Sequence, residues 1–175
     1  MSRRFALWLL PIALLAPALA RAQGASETAV EAAFLAKFGA YVTWPGGGGP
    51  IVICAVGRDV LGDALDRATA GQQIDGRGLV VRKLDSVDRN SGCTIAYIAG
   101  SPRQSVSAAL AALRSAPVLT VTDSRWSSAR GMIHFQIAND RVRFHIDDKA
   151  AAESGLGISS KLLALALSVR PRSGR

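Results

Sequence analysis

Few side chains in this sequence of 175 residues can carry acid–base or metal chemistry, since it holds two histidines and two cysteines. His134 and His145 flank a turn at Asn139-Asp140, and a symmetric hairpin there places them opposite each other. Opposed side chains on one sheet face are close enough to share a metal ion. No cysteine and no certain carboxylate completes such a site, and the alternative is a solvated polar face. We therefore expect no metal and no cofactor, with these two histidines as the candidate ligands if a metal binds.

Catalytic motifs are also missing from the sequence. Neither Gly-x-Ser-x-Gly nor His-Glu-x-x-His occurs. Ser159-Ser160-Lys161 resembles a catalytic trio only superficially, because serines at the start of a helix are usually caps. Asp147-Asp148 is explained more simply as a helix start than as a pair of catalytic carboxylates. The sequence therefore predicts a protein that is not an enzyme.

The elements that must position these residues alternate between strand and helix. The apolar runs 51–56, 79–84, 94–99 and 118–122 are each typical of a buried strand. Helices are predicted from Asp59, from the Ser101-Pro102 start and, at the beginning of the domain, from a capping box at Thr28 and Glu31. This alternation predicts a single α/β domain, with a mixed sheet of parallel and antiparallel strands flanked by helices.

The segment from Ile133 to Ile146 changes character and is predicted to be an antiparallel hairpin. In that register Phe135 faces Phe144 on a buried side, and the side with the histidines is expected to be wet. After it, residues 158–170 are apolar almost all round, and we expect them to form a largely buried last helix.

The carboxyl ends of the predicted parallel strands offer one candidate ligand site. In open α/β sheets, ligands bind at such ends. Arg58, Ser101 and Asp123 follow three of the strands and are the candidate ligand-binding residues of this alternative, a small-molecule-binding protein.

The first 22 residues have the organisation of a secretory signal peptide. Two arginines precede an uncharged run, Phe5 to Ala20, that contains two prolines and is followed by small residues. That run is shorter than the roughly twenty residues of a membrane-spanning helix, which is the alternative. We expect a cleaved leader at residues 1–22, a domain at residues 23–169 and a basic tail at residues 170–175.

Charge argues against a nucleic-acid partner. The chain carries a formal net charge of +8 from 21 basic and 13 acidic residues. Three of the arginines lie in the leader and three in the tail, which leaves 15 basic against 13 acidic residues in the domain. No basic cluster interleaved with aromatic residues remains, so nucleic acid is not expected as a partner.

Cys54 and Cys93 are an even number of cysteines in a chain predicted to be exported, which favours one disulfide. Two separate buried thiols are the alternative. Phe34, Phe38 and Tyr41 recur at helical spacing, which is more often a core stripe than a partner groove. Trp44 and Trp126 are the candidate partner-contact residues, because aromatic side chains are enriched at the centres of interfaces.

Several short motifs, in this order, resemble the YfiR-like family of small exported proteins over about residues 29–167. The motifs are Ala32–Phe38 running on to Val42-Thr-Trp-Pro45, Cys54-Ala-Val-Gly57, Leu61–Leu65, Leu79–Arg82, Pro117–Asp123, Gly131–Phe135, Arg141–Phe144 and Ile158–Leu163.

The resemblance implies a periplasmic, non-enzymatic regulator. Such proteins hold an inner-membrane diguanylate cyclase inactive by binding its periplasmic part, which lowers cyclic-di-GMP and so affects biofilm formation. An outer-membrane, peptidoglycan-associated lipoprotein can sequester the repressor. The resemblance also implies a homodimer, and a disulfide at the positions of Cys54 and Cys93. Some members carry a second cysteine pair, which this sequence lacks, so a redox switch based on that pair is not expected here.

Overall fold

The computed structural model describes residues 16–139 and 141–172, with the side chains of the first helix described from Glu27 onwards. The predicted leader therefore lies mostly outside the described residues. The helices are α1 (Ala16–Phe38), α2 (Asp63–Thr69), α3 (Val106–Ala112), α4 (Asp148–Glu153) and α5 (Ser160–Leu163), with a 3₁₀ turn at Gly39–Tyr41. None of the helices among the described residues combines the length and apolar character that a membrane span requires.

The strands build one large sheet and one small one. They are β1 (Val42–Thr43), β2 (Ile51–Gly57), β3 (Gln73–Ile74), β4 (Arg77–Leu84), β5 (Ile95–Gly100), β6 (Leu119–Asp123), β7 (Ile133–Ala138), β8 (Arg141–Asp147), β9 (Gly157–Ile158) and β10 (Ser168–Arg170). The large sheet has eight strands in the order β10-β8-β7-β6-β5-β2-β4-β3, and β1 pairs with β9 separately.

Both strand directions occur in the large sheet, as predicted. β4, β2, β5, β6 and β7 run parallel, β8 is antiparallel to β7, and β3 is antiparallel to β4. Strands buried on both faces read as continuous apolar runs, which is why the central strands could be identified from the sequence. The α/β fold with a mixed sheet is confirmed.

Each face of the sheet carries its own apolar core. Helices α1, α2 and α4 cover one face, where Phe34, Phe38, Phe135 and Phe144 form an aromatic cluster with ring centroids 5.4–6.3 Å apart. The core interpretation of the aromatic stripe on α1 is thereby confirmed. Helix α3 covers the opposite face, over a smaller core that includes both cysteines.

The register predicted for the hairpin is confirmed at every pair. His134 lies opposite His145, and Phe135 opposite Phe144. The expectation of a wet face at the histidines is wrong for His134, whose side chain is buried. The reason is that β6 lies beside β7, where buried Thr122 is the register partner of His134 and its hydroxyl shares a hydrogen bond with Nδ1 of the ring, whereas an isolated hairpin has no such neighbour.

The predicted last helix over residues 158–170 is wrong. Helix α5 ends at Leu163, and β10 then adds to the sheet as a parallel neighbour of β8. The backbone N–H of Leu167 donates to the carbonyl of Phe144 over 2.8 Å, which starts this pairing. An apolar run alone does not distinguish helix from strand, and here the open edge of β8 decides the outcome.

The three predicted helix starts before the hairpin are all displaced. Helix α2 begins at Asp63 with Gly62 as its N-cap, and Asp59 instead accepts from the N–H of Gly62 in the turn before the helix. Helix α1 runs through Thr28 from Ala16, so the Thr28–Glu31 pattern does not mark its beginning. Helix α3 begins four residues later than Pro102 suggested, and its N-cap is Ser105, whose hydroxyl accepts from the N–H of Ala108. Ser101 instead caps the preceding turn by accepting from the N–H of Gln104. The start predicted at Asp147 is confirmed, since its carboxylate accepts from the N–H of Ala150.

Candidate functional site

The chain reverses its direction of travel across the sheet at β2. It passes from β2 to β4 on one side, through α2, and then returns to β5 on the other side of β2 before continuing to β6 through α3. Helices α2 and α3 lie against opposite faces of the sheet. The segments that leave β2 and β5 therefore diverge, which is the arrangement that creates a crevice at the carboxyl ends of parallel strands.

Two glycines allow the ends of β2 and β5 to approach closely. Gly57 and Gly100 both have positive φ angles, 93° and 72°. A Cβ on Gly57 would lie 2.8 Å from the backbone nitrogen of Gly100 and closer still to its carbonyl group. The N–H of Arg58 donates to the carbonyl of Gly100 over 3.0 Å, so the first residue after β2 is fixed against the end of β5.

A cavity of about 430 Å³ opens beside this contact. Its lining consists of Arg58, Ala99, Gly100, Ser101, Pro102, Ser105, Val106, Ser107, Trp126 and Ser127. Two of the three ligand-binding residues predicted from the sequence, Arg58 and Ser101, therefore line one cavity, whereas Asp123 does not. The hydroxyl of Ser101 donates to the carbonyl of Asp85 and accepts from the following turn, so its part there is to shape the wall.

The guanidinium of Arg58 is held in place at the cavity. Its Nη2 donates to the carbonyl of Ala99 over 3.1 Å, and its Cζ lies 5.0 Å from the ring centre of Trp126. The guanidinium of Arg125 lies 5.5 Å from the same ring. Trp126, a candidate partner-contact residue, is thus partly buried, and two guanidinium groups lie close to its ring.

Asp123 belongs to a buried ion cluster behind the cavity. Arg125 donates from Nε and Nη2 to Asp123 Oδ2 over 3.1 and 2.6 Å, and also to Oε1 of Glu31 on α1. Glu27 lies 3.7 Å from the same guanidinium, and the hydroxyl of Tyr97 lies 3.5 Å from Glu31 Oε2. Asp123 and Glu31 are both buried. One arginine thereby ties the first helix to the end of β6.

The cluster contains three carboxylates and one guanidinium group, and their charges and burial shift the pKa values of its members. Burial, followed by the negative charge of Asp123, raises the pKa of Glu31 from 4.5 to about 8, although Arg125 opposes the shift. Burial also raises the pKa of the Tyr97 hydroxyl, as do the charges of Glu31 and Asp123. Burial alone would lower the pKa of Arg125, but its hydrogen bonds and ion pairs with the two carboxylates raise it.

The two cysteines form a disulfide on the other face of the sheet. Cys54 on β2 is bonded to Cys93, with their Cα atoms 5.8 Å apart and a separation of 39 positions in sequence. Both are buried in the core beneath α3. The alternative of two separate thiols is therefore wrong.

The two histidines are adjacent, but their ring nitrogens are hydrogen-bonded to other side chains. Nδ1 of His134 shares a hydrogen bond of 2.8 Å with the hydroxyl of Thr122. The two ring nitrogens of His145 lie 2.6 Å from the Ser168 hydroxyl and 2.9 Å from the Gln136 side-chain oxygen. Burial, followed by the charge of Arg130, lowers the pKa of both histidines, so both are neutral at neutral pH. Among the described residues, no group of three or more His, Cys, Asp or Glu side chains is arranged to hold a metal ion.

The remaining candidate residues from the sequence make contacts that stabilise the fold. Trp44 packs against the larger core with its indole Nε1 buried. Ser159 is the N-cap of α5, as its position suggested. Asp148 pairs with Arg172 over 2.7 Å, and Asp147 with Arg170 over 3.1 Å, so two of the three arginines of the predicted tail contact the domain; the third lies outside the described residues.

Sequence reasoning missed two features. The first is the partnership of Glu31 with Arg125, because the two residues are 94 positions apart and no local pattern joins them. The second is a pair of exposed leucines, Leu165 and Leu167, with 57% and 41% of their surface accessible. The predicted helix over residues 158–170 was expected to be largely buried, so the sequence did not identify these leucines as exposed. The break after Leu163 leaves their side chains in solvent.

The fold and these contacts define a disulfide-bonded α/β domain whose first helix is fastened to the sheet by a buried ion cluster. Residues 28–167 match the family model DUF4154, described as YfiR/HmsC-like, and the chain belongs to that family. The resemblance seen in the motifs is thereby confirmed. No curated protein matches the chain.

Family membership carries the functional assignment at a coarse level. YfiR-like proteins are periplasmic and regulate diguanylate cyclases, and the family is regulatory and not catalytic. The chain is thus a member of a family of periplasmic regulators of cyclic-di-GMP synthesis.

Proposed function

We propose that this protein represses an inner-membrane diguanylate cyclase by binding the periplasmic part of the enzyme. The observation that carries the proposal is the match of residues 28–167 to the YfiR/HmsC-like family. Binding acts as a switch if the protein has a higher affinity for the inactive conformation of the cyclase than for the active one. Deleting the protein then raises cyclic-di-GMP.

An outer-membrane, peptidoglycan-associated lipoprotein is the proposed antagonist. It would act by sequestration, which lowers the concentration of free repressor and lets the cyclase return to its active state. We also propose that the repressor works as a homodimer. Export through a cleaved signal peptide at residues 1–22 would bring it to the compartment where these partners meet.

The exposed leucines are the proposed contact surface for the cyclase. Leu165 and Leu167 lie two positions apart, immediately before the edge strand β10. Large aliphatic side chains left in water are stabilised when a partner covers them, at about 25 cal/mol for each Å² of apolar surface buried. Trp44 is a poorer candidate, because it already packs against the core.

Capture of the cyclase from detergent-solubilised membranes tests this surface. We expect Leu165→Ser together with Leu167→Ser to abolish capture while the melting temperature stays near that of the wild type. Val80→Ser is the matched control, because Val80 is similarly exposed at 42% but lies on β4, toward the opposite edge of the sheet. Unchanged capture by the double variant would exclude the leucines, and a wild-type protein that captures no cyclase would contradict the proposed function.

A further inference from the structure

We propose that the cavity at the carboxyl ends of β2 and β5 binds a small organic anion, with Arg58 as the charged group that recognises it. The position of the cavity is the first argument. It lies where the chain reverses its travel across the sheet, between the diverging segments that carry α2 and α3. Crevices at that point of an open α/β sheet are the usual ligand sites.

The charge of the lining selects an anion. The described residues that line the cavity include one arginine, four serines and no acidic side chain. Among the described residues, Arg58 has no carboxylate within 4.0 Å, whereas the neighbouring Arg125 is surrounded by three. The positive charge at the cavity is therefore that of Arg58, and a ligand carboxylate or phosphate would neutralise it.

The guanidinium is also preorganised for binding. The carbonyl of Ala99 accepts from one of its N–H groups, and its Cζ lies over the ring of Trp126. A guanidinium has five N–H donors in a fixed fork, which matches the oxygens of carboxylate and phosphate alike. Because the side chain is already held, ligand binding has less conformational entropy to overcome than it would at a free surface arginine.

The serines supply further donors. Ser105 and Ser127 accept hydrogen bonds from the N–H groups of Ala108 and Ala129, which uses hydroxyl lone pairs and leaves each O–H available to donate. Pro102, Val106 and Trp126 provide apolar wall. A volume of about 430 Å³ lies within the range of small-molecule sites. The site thus fits a metabolite that carries a phosphate or carboxylate group on a short carbon skeleton.

Isothermal titration calorimetry on the exported protein tests the proposal, with glycerol 3-phosphate and succinate as probes at constant ionic strength. We expect saturable binding of at least one probe, and the preferred probe identifies the anionic group. Arg58→Gln should weaken binding at least about tenfold, through the loss of charge-assisted hydrogen bonds. Arg67→Gln on α2 is the control of equal charge change and should leave the affinity unchanged.

The results that would overturn the proposal are equally definite. Failure of the wild type to bind either probe saturably up to millimolar concentration would do so, as would equal weakening by Arg58→Gln and Arg67→Gln. Circular dichroism of each variant establishes that it is folded, and Ser127→Ala gives a second change in the same cavity that should weaken binding to a smaller extent. The proposal does not rest on the repressor function, since binding is measured without the cyclase.

Discussion

We expect the folded state to lose stability as the pH rises from neutral to mildly alkaline, because of the carboxyl group of Glu31. In the unfolded chain this group has an ordinary pKa of 4.5, and in the folded protein burial and the charge of Asp123 raise the pKa to about 8. Between these values the folded state holds a proton that the unfolded state does not. The contribution of Glu31 to stability is therefore fully present below the unfolded pKa and is lost as the pH rises through the folded pKa.

The size of the effect follows from the same two pKa values. Each pKa unit corresponds to about 1.4 kcal/mol. Between about pH 6.5 and about pH 9, the free energy of unfolding should fall by about 2 kcal/mol. Over this interval the histidines act in the opposite sense, because the pKa values of His134 and His145 are lowered from 6.5 in the folded protein and the unfolded chain releases more of their protons. Their contribution is smaller than that of Glu31, and the Glu31→Gln variant measures it separately.

Urea unfolding at the two pH values, followed by far-ultraviolet circular dichroism, measures the difference. Glu31→Gln retains the side-chain volume and removes the proton exchange, so its unfolding free energy should change little over this interval. Glu153→Gln is the matched control, because the Glu153 carboxylate is mostly exposed and pairs with Lys149 on the same helix over 3.8 Å. A wild type equally stable at both pH values, or a Glu31→Gln variant with the wild-type pH dependence, would refute the reasoning.

Two further substitutions and one mass measurement have expected outcomes. Cys54→Ser together with Cys93→Ser should lower the free energy of unfolding by about 4 kcal/mol, because the bond closes a long loop, with the cysteines 39 positions apart. Chemical denaturation measures this loss. A folded double variant that no longer binds the cyclase would show that the bond is a switch. Gly57→Ala should cost at least about 2 kcal/mol in the same assay, because the new Cβ meets the backbone of Gly100, whereas Gly48→Ala meets nothing within 4 Å and should be neutral. Intact mass of the protein from the periplasm should show the loss of about the first 22 residues, and the full chain in the inner membrane would contradict a cleaved leader.

The parts of the fold that the sequence predicted are those in which local pattern and final structure agree. The central strands are apolar because both faces of the sheet are covered, and the alternating pattern of the Ile133–Ile146 hairpin sets its register, with Phe135 opposite Phe144. The predictions failed where tertiary pairing decides the structure. Residues 168–170 become a strand because β8 offers an open edge. A segment of this length is too short to show the periodicity that would predict a strand.

The candidate site was predicted in part for the same reason. Arg58 and Ser101 follow strands, so the topology brings them to one cavity, as sequence reasoning proposed. Asp123 follows a strand as well, but its carboxylate turns to Arg125. Arg125 also pairs with Glu31 on the first helix, 94 positions away, and such a long-range contact leaves no mark on local sequence.

The cellular level of cyclic-di-GMP in a strain that lacks this protein tests the central claim most directly. Mass spectrometry should show a higher level in the deletion strain than in the parent, and expression of the wild-type protein should restore the parental level. The variant with serine at both Leu165 and Leu167 should fail to restore it, while Val80→Ser should succeed. An unchanged level in the deletion strain, together with no diguanylate cyclase recovered with the purified protein, would contradict the account.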